Sequence, residues 1–195
     1  MIRAIIFDCF GVLYLNSSQH FYETKLSNYD KLRNELLSLS AQADYGYISS
    51  HQLHVAVSEL TGLPLELIDD ELEGIHKCNQ QLLDYSQRLR SRYKVGMLSN
   101  ISVEGMKDYF SDPARERLFD ASLLSGEVGM TKPHPHIFEM IADKLGVTPG
   151  ECVMIDDIED NCAGADAAGM KAIQYRSNGQ LRQELETLLA RDQVS

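Results

Sequence analysis

The chain of 195 residues, 44% hydrophobic and 24% charged, can bury one core with a modest insert but is short for two independent domains. Its formal charge of -11 disfavours a nucleic-acid backbone or an anionic membrane as partner and leaves a small molecule as the expected ligand. No apolar run has the length of a membrane span, and no basic segment leads into an apolar run at the start, so a cytoplasmic protein is expected.

Residues 4–7 form a short apolar run that reads as a buried strand and leads straight into Asp8-Cys9-Phe10-Gly11-Val12. Alternation along an extended segment turns Cys9 away from whatever Asp8 faces. The next strand-like run, at 95–98, lies about eighty residues on, far beyond an ordinary crossover, so something is inserted between them. Within that interval Leu26, Tyr29 and Leu36 predict one helix, and Ser50 caps a second bearing Leu53, Val57 and Leu60. Leu82, Leu89 and Tyr93 predict a third helix leading back to the sheet, and the acidic run 69–73 reads as a solvated helix face. Further strands follow at 121–124, 152–155 and 172–174. Pro135 opens a helix with Phe138, Ile141, Ala142 and Leu145 on one face and Gly146 at its end, and Leu181, Leu185, Leu188 and Leu189 mark the last helix. Cys9, Cys78, Cys152 and Cys162 form no Cys-x-x-Cys pair and are expected to be reduced thiols. The alternation predicts a Rossmann-like α/β fold, a parallel sheet with helices on both faces, from residues 1–14 and 86–195. Residues 15–85 are the expected all-helical insert.

In open parallel sheets ligands bind beyond the carboxyl ends of the strands. The residues there are Asp8 to Gly11, Ser99-Asn100, Ser125-Gly126 and Asp156-Asp157, with Lys132-Pro133 a little past the third strand. Three carboxylates brought into one crevice raise one another's pKa values unless a cation sits between them, so Asp8, Asp156 and Asp157 read as a divalent-metal site.

In order and spacing, Asp8-x-Phe10-Gly11-Val12, Leu98-Ser99-Asn100, Lys132-Pro133 and Ile155-Asp156-Asp157 with Asn161 resemble the four motifs of the haloacid dehalogenase-like hydrolase superfamily. The resemblance implies a phosphatase-like member with a small helical cap, acting on a small phosphorylated substrate. It implies that Asp8 is nucleophile and magnesium ligand, and that the carbonyl of Phe10, Asp156 and Asp157 complete the Mg2+ site. By the same carry-over the Ser99 hydroxyl and the Asn100 N–H hold the phosphoryl oxygens and Lys132 offsets their charge. Asn161, with Asp160, is expected to orient the last loop and cap the following helix. Selectivity is expected from the residues after Leu13 and from Asp44-Tyr45-Gly46-Tyr47, whose tyrosines serve either that role or packing between cap helices.

One position departs from the phosphatase pattern. Phe10 stands where a second Asp usually acts as acid and base, and a phenyl ring moves no proton, so a contribution of ~10²–10⁴ in rate must come from elsewhere or be missing. An aromatic residue there is similar to the metal-free 2-haloacid dehalogenases, the alternative reading, with a catalytically impaired phosphate-binding protein as the third. The paired carboxylates Asp156 and Asp157 weigh for magnesium, since without a cation they repel both Asp8 and an anionic substrate.

Overall fold

The run Ala4–Phe7 (β1) is buried on both faces and forms the centre of a sheet. The computed structural model describes residues 1–15, 18–73 and 77–192. After β1 come α1 (Ser18–Lys25), α2 (Tyr29–Asp44), α3 (Ser50–Thr61), α4 (Leu65–Glu73) and α5 (Gln80–Leu89). β2 (Lys94–Ser99), α6 (Val103–Met106), α7 (Asp112–Leu118), β3 (Ala121–Leu124), α8 (Ser125–Val128) and α9 (Pro135–Leu145) follow. A 3-10 turn (Pro149–Glu151), β4 (Cys152–Asp156), α10 (Glu159–Ala167), β5 (Lys171–Gln174) and α11 (Asn178–Asp192) complete the described chain.

Among the described residues the five strands pair in parallel in the order β3-β2-β1-β4-β5. Phe7 stands opposite Met97 on one side and Ile155 on the other, so the residues that leave β1, β2 and β4 emerge at one level. Ile5, Phe7 and Cys9 face a layer containing Leu82, Leu83, Leu181 and Leu185; Ala4 and Ile6 face Phe138, Ile141 and Leu145 of α9. Each fully buried aliphatic or aromatic side chain contributes roughly 1.5–3 kcal/mol, which makes the central strand a rigid platform for whatever follows it. Pro135 begins α9 and Gly146, at φ 70°, ends it, as its sequence predicts. The fold is Rossmann-like α/β. No helix among the described residues is long and apolar enough to cross a membrane.

Between β1 and β2, helices α1–α4 gather Phe21, Tyr22, Leu26, Leu36, Val57 and Ile68 into a small core of their own. Four local expectations are corrected here. The helix expected over Leu26 to Leu36 is α2, which starts only at Tyr29; Leu26 lies in the break after α1, where Ser27 and Asn28 supply turn residues. The cap of α3 is Ser49, not Ser50: Ser49 accepts from the Gln52 N–H at 3.2 Å and the Gln52 side chain returns to the Ser49 N–H at 2.8 Å, a reciprocal box that sets the register. In the acidic run, Asp70 is exposed as a solvated face requires, but Asp69, 35% exposed, is 2.7 Å from Nδ1 of buried His54 and so satisfies an interior polar group; the side chains of residues 71–73 lie outside the described set. Finally, α5 ends at Leu89, with Tyr93 in the turn beyond, and packs on the sheet through Leu82, Leu83 and Tyr85. Residues 80–85, expected in the insert, therefore belong to the sheet layer, since periodicity shows that a helix has an apolar face but not which surface covers it.

The two connections of the insert run side by side. Leu15 N–H donates to Lys77 O and Asn79 N–H to Leu13 O. The Asn79 amide, 4% exposed, donates to Val12 O at 2.9 Å, Tyr175 Oη at 3.0 Å and Asn178 Oδ1 at 3.0 Å, while its Oδ1 caps α5. Asn79→Ala removes a helix cap and strands buried polar groups on three segments, so it should cost about 2–3 kcal/mol. Urea unfolding with an unchanged m-value checks this; a loss under about 0.5 kcal/mol would show that the network is not holding the connections.

Candidate active site

Asp8 immediately follows β1, Ser99 ends β2 and Asp156 ends β4, so the register of the sheet delivers all three to one rim. The Asp8 N–H still donates to Ile155 O at 2.8 Å, which keeps the residue in line with the neighbouring strand. Its Oδ1 accepts from the Cys9 N–H at 2.6 Å and lies 2.8 Å from Lys132 Nζ. The same ammonium is 2.6 Å from Asp156 Oδ2. The other oxygen, Asp156 Oδ1, accepts from Asn161 Nδ2 and from the Ile158 N–H, both at 3.0 Å. Asp8, Lys132 and Asp156 are 5%, 4% and 0% exposed, so water does little to screen them.

Asp157 completes the cluster: one carboxylate oxygen from each of Asp8, Asp156 and Asp157 lies within 4.8 Å of the others. At such separations and an effective dielectric near 20, each like pair costs roughly 3–4 kcal/mol, against roughly 6 kcal/mol returned by each ion pair with Lys132. Three repulsive pairs stand against two attractive ones among the direct contacts, and the group is left with an excess of buried negative charge. Burial and then the Asp156 charge push the Asp8 carboxyl well above its usual range, with Lys132 acting against them. Burial, followed by Asp156, pushes Asp157 up to about 6. Burial alone would depress Lys132, but Asp156 and Asp8 outweigh it and raise its pKa.

Two further features fit a cation. Asp157 Oδ1 is buried with no hydrogen-bond partner, a costly state that an ion would relieve. Gly11, at φ 77°, makes room for this carboxylate, since a Cβ there would lie 2.2 Å from Asp157 Oδ2. An all-oxygen donor set of this kind suits a hard divalent ion such as magnesium. Ser99 Oγ is likewise buried without a partner among the described residues, a donor free for a ligand oxygen.

Asn100 does more than its sequence position suggests. Its side chain accepts from the Lys132 N–H at 2.8 Å and donates to Lys132 O at 3.1 Å, clamping the loop that carries the ammonium. The other side of that loop is braced by α10: a Cβ on Gly164 would lie 2.2 Å from Pro133 O. Asn161 donates to Asp156, and the cap of α10 is Ile158 rather than the Asn161 or Asp160 side chain, the Ile158 N–H going to Asp156. Phe10 turns its ring edge-on to Tyr109, centroids 4.7 Å apart. Cys9 is buried with the β1 core, and burial followed by the Asp8 charge pushes its thiol up, away from the nucleophilic thiolate.

The end of α2 also reaches this rim. Tyr45 Oη is 3.0 Å from Thr131 Oγ1, and Tyr45 stacks on Tyr47, which is 75% exposed, so these rings do not pack between helices of the insert. Ser125 Oγ donates to Asp44 O at 2.7 Å and accepts from the Ile101 N–H at 2.9 Å. Asp44 was legible only as part of a polar stretch and Ser125 as a residue after a strand; nothing in their spacing couples them. Of the residues after Leu13, 16 and 17 lie outside the described set.

Comparison with known proteins agrees with this geometry. A D-ribitol-5-phosphate phosphatase of Bacteroides thetaiotaomicron is 26% identical over 97% of this chain and 99% of its own length. A phosphatase of Mycobacterium tuberculosis is 37% identical, but over 48% of this chain and only 43% of its own length. Among solved structures, a HAD family enzyme from Bacteroides thetaiotaomicron in complex with magnesium and inorganic phosphate superposes with a TM-score of 0.68 at 26% identity, covering 91% of this chain and 96% of that one. The model of the haloacid dehalogenase-like hydrolase family matches residues 2–169, which span the sheet from β1 through β4 and every residue of the carboxylate cluster. The chain belongs to the haloacid dehalogenase-like hydrolase family.

Proposed function

We propose that the chain is a magnesium-dependent phosphatase of a small phosphate ester, working through an aspartyl-phosphate on Asp8. The observation that carries this reading is the buried surplus of carboxylate around Lys132, with the unpartnered Ser99 hydroxyl at the adjoining strand end. Held by Asp8, Asp156, Asp157 and the main-chain carbonyl of Phe10, magnesium would neutralise the cluster and draw charge from a phosphoryl group.

The protein's own groups then divide the work. An Asp8 carboxylate oxygen attacks phosphorus, the bond from phosphorus to the ester oxygen breaks, and the alcohol departs; water next attacks the same phosphorus, releasing phosphate and restoring Asp8. The Ser99 hydroxyl and the Asn100 N–H donate to the phosphoryl oxygens, and the ammonium of Lys132 offsets their charge. Asn161 acts on the carboxylate beside it, fixing Asp156 Oδ1 so that Oδ2 faces Lys132. Helices α1–α4 serve as the cap over the crevice, with the core made of residues 1–14 and, given the seating of α5, of the chain from Asn79 onward. The end-to-end likeness to a D-ribitol-5-phosphate phosphatase supports a polyol or sugar phosphate as substrate.

A metal-free dehalogenase draws support from Phe10 alone. Against it, the orphaned Asp157 oxygen and the neighbouring Asp156 repel an anionic haloacid when no cation is bound.

A screen of small phosphate esters, polyol and sugar phosphates foremost, should give turnover that depends on magnesium and falls more than about 10³-fold in Asp8→Asn. Halide release from a 2-haloacid in excess chelator would replace this reading with the dehalogenase one, and phosphate binding without any turnover with the impaired binder. Charge balance supplies a second expectation. Lys132→Met leaves the buried carboxylates uncompensated and should cost about 3–5 kcal/mol without metal. Because the ion binds the folded cluster and not the unfolded chain, magnesium should raise the melting temperature of this variant by more than that of the parent. A melting temperature that ignores both the substitution and the metal would show that the carboxylates are not charged together.

A further inference from the structure

Phe10 leaves the proposed reaction without a proton carrier on β1's exit, and its ring, partly buried, packs against Tyr109. The structure brings another carboxyl to the rim. Asp44 ends α2, and two hydrogen bonds fasten that end to the core: Ser125 Oγ to Asp44 O at 2.7 Å, and Tyr45 Oη with Thr131 Oγ1 at 3.0 Å. Thr131 directly precedes Lys132, and Ser125 is also bonded to the N–H of Ile101, which directly follows Ser99-Asn100. The two segments gripped by the end of α2 are thus the ones that carry the groups assigned to the phosphoryl oxygens.

The Asp44 side chain itself makes no hydrogen bond or ion pair with another described residue. An aspartate in the last turn of a helix also faces the negative end of the helix dipole, a position that disfavours its anion. Burial pushes its carboxyl up to about 7, and Lys132 is the charge that acts against this. Lys132, next to Thr131 on one of the segments that hold it, is the charged group that acts on it, and Tyr45 is its neighbour on the chain. A half-buried carboxyl with no ion-pair partner among the described residues, on a helix end fastened to the loops of Asn100 and Lys132 and divided between its two protonation states near neutral pH, is matched to moving a proton rather than to holding the fold.

We propose that Asp44, delivered by the end of α2, is the acid and base of this reaction in place of the carboxylate missing at Phe10. The proposal rests on the phosphatase reading above. In the first half-reaction the neutral Asp44 carboxyl gives its proton to the ester oxygen as the bond from phosphorus to that oxygen breaks and Asp8 becomes phosphorylated. In the second, the Asp44 carboxylate takes a proton from water as the water oxygen bonds to phosphorus and the bond to Asp8 breaks. The proton lost in the first step is recovered in the second, and no further reagent is consumed.

The test uses 4-nitrophenyl phosphate, whose leaving group departs without a proton, so that only the second step needs Asp44. Asp44→Asn should lower kcat by ~10²–10³-fold and show a burst of nitrophenol of about one enzyme equivalent that the parent lacks. The parent's kcat should fall on the acid side of neutrality, where Asp44 becomes protonated, and the variant should lose that limb. Restoring a carboxylate from the other side, with Phe10→Asp in the Asp44→Asn background, should recover turnover and abolish the burst. Asp44→Ser serves the same comparison if the amide disturbs the fold, and a full burst shows that the sites are intact. A raised KM with kcat and the pH limb unchanged would make Asp44 a substrate-positioning group and overturn the proposal, as would parental kcat with no burst. Turnover at the parental rate in Asp44→Asn that vanishes in Asp8→Asn would overturn it while sparing the phosphatase reading. Absence of any Asp8-dependent turnover in the parent would overturn both.

Discussion

Lys132 reaches from a loop beyond β3 into the interior, where its ammonium lies 2.8 Å from Asp8 and 2.6 Å from Asp156. Those two residues close adjacent strands, and without a cation between them the ends of β1 and β4 would repel in a setting with little water. The rest of the site is arranged to keep that ammonium in place. Asn100 bonds both main-chain polar groups of Lys132, α10 comes close enough to Pro133 O that only glycine fits at 164, and Asn161 and the Ile158 N–H hold the outer oxygen of Asp156. A buried ion pair of this kind contributes little net stability, because desolvation offsets most of the attraction. Its value lies in what it leaves over: more negative charge than one lysine can balance, at a point where the sheet opens.

That surplus links the fold to the chemistry. Asp157, displaced from the pair with Lys132 and given room by Gly11, has an oxygen with no protein partner, and the neighbouring Ser99 hydroxyl is in the same condition. A divalent cation cancels that charge and satisfies the Asp157 oxygen, and a ligand oxygen satisfies the Ser99 hydroxyl. The insert adds a wall to this floor. Its connections are pinned at Asn79, and the end of α2 is fastened to the core through Ser125 and Thr131. A proton-moving group placed there would arrive with the insert, so that the acid and base function would be complete only when α2 is seated.

The strands and the gathering of Asp8, Ser99, Lys132 and Asp156 at the strand ends were legible because they rest on local signals: apolar runs, strand-end carboxylates and the order of short motifs. The misreadings share a different cause. Leu82 and Leu83 announce an amphipathic helix, but only the three-dimensional packing decides that the sheet and not the insert covers it. The Ser49 box turns on a one-residue choice between adjacent serines for the same N–H group. The Asn100 clamp and the seating of Asp44 join residues 32 and 81 positions from their partners, contacts that no periodicity encodes. Tyr45 shows the limit most clearly: its sequence surroundings fit packing within the insert as well as a role at the rim, and the hydrogen bond to Thr131 decides between them.

The central claim is that Asp8 becomes covalently phosphorylated with the help of a cation held by its carboxylate neighbours. It is tested most directly by acid-quenching the enzyme during turnover of a labelled phosphate ester and mapping the phosphoryl group on the digested peptides. The account predicts label on the peptide containing Asp8 when magnesium is present and none after chelation. Label on a different residue, or sustained turnover with no labelled peptide at any quench time, would contradict it.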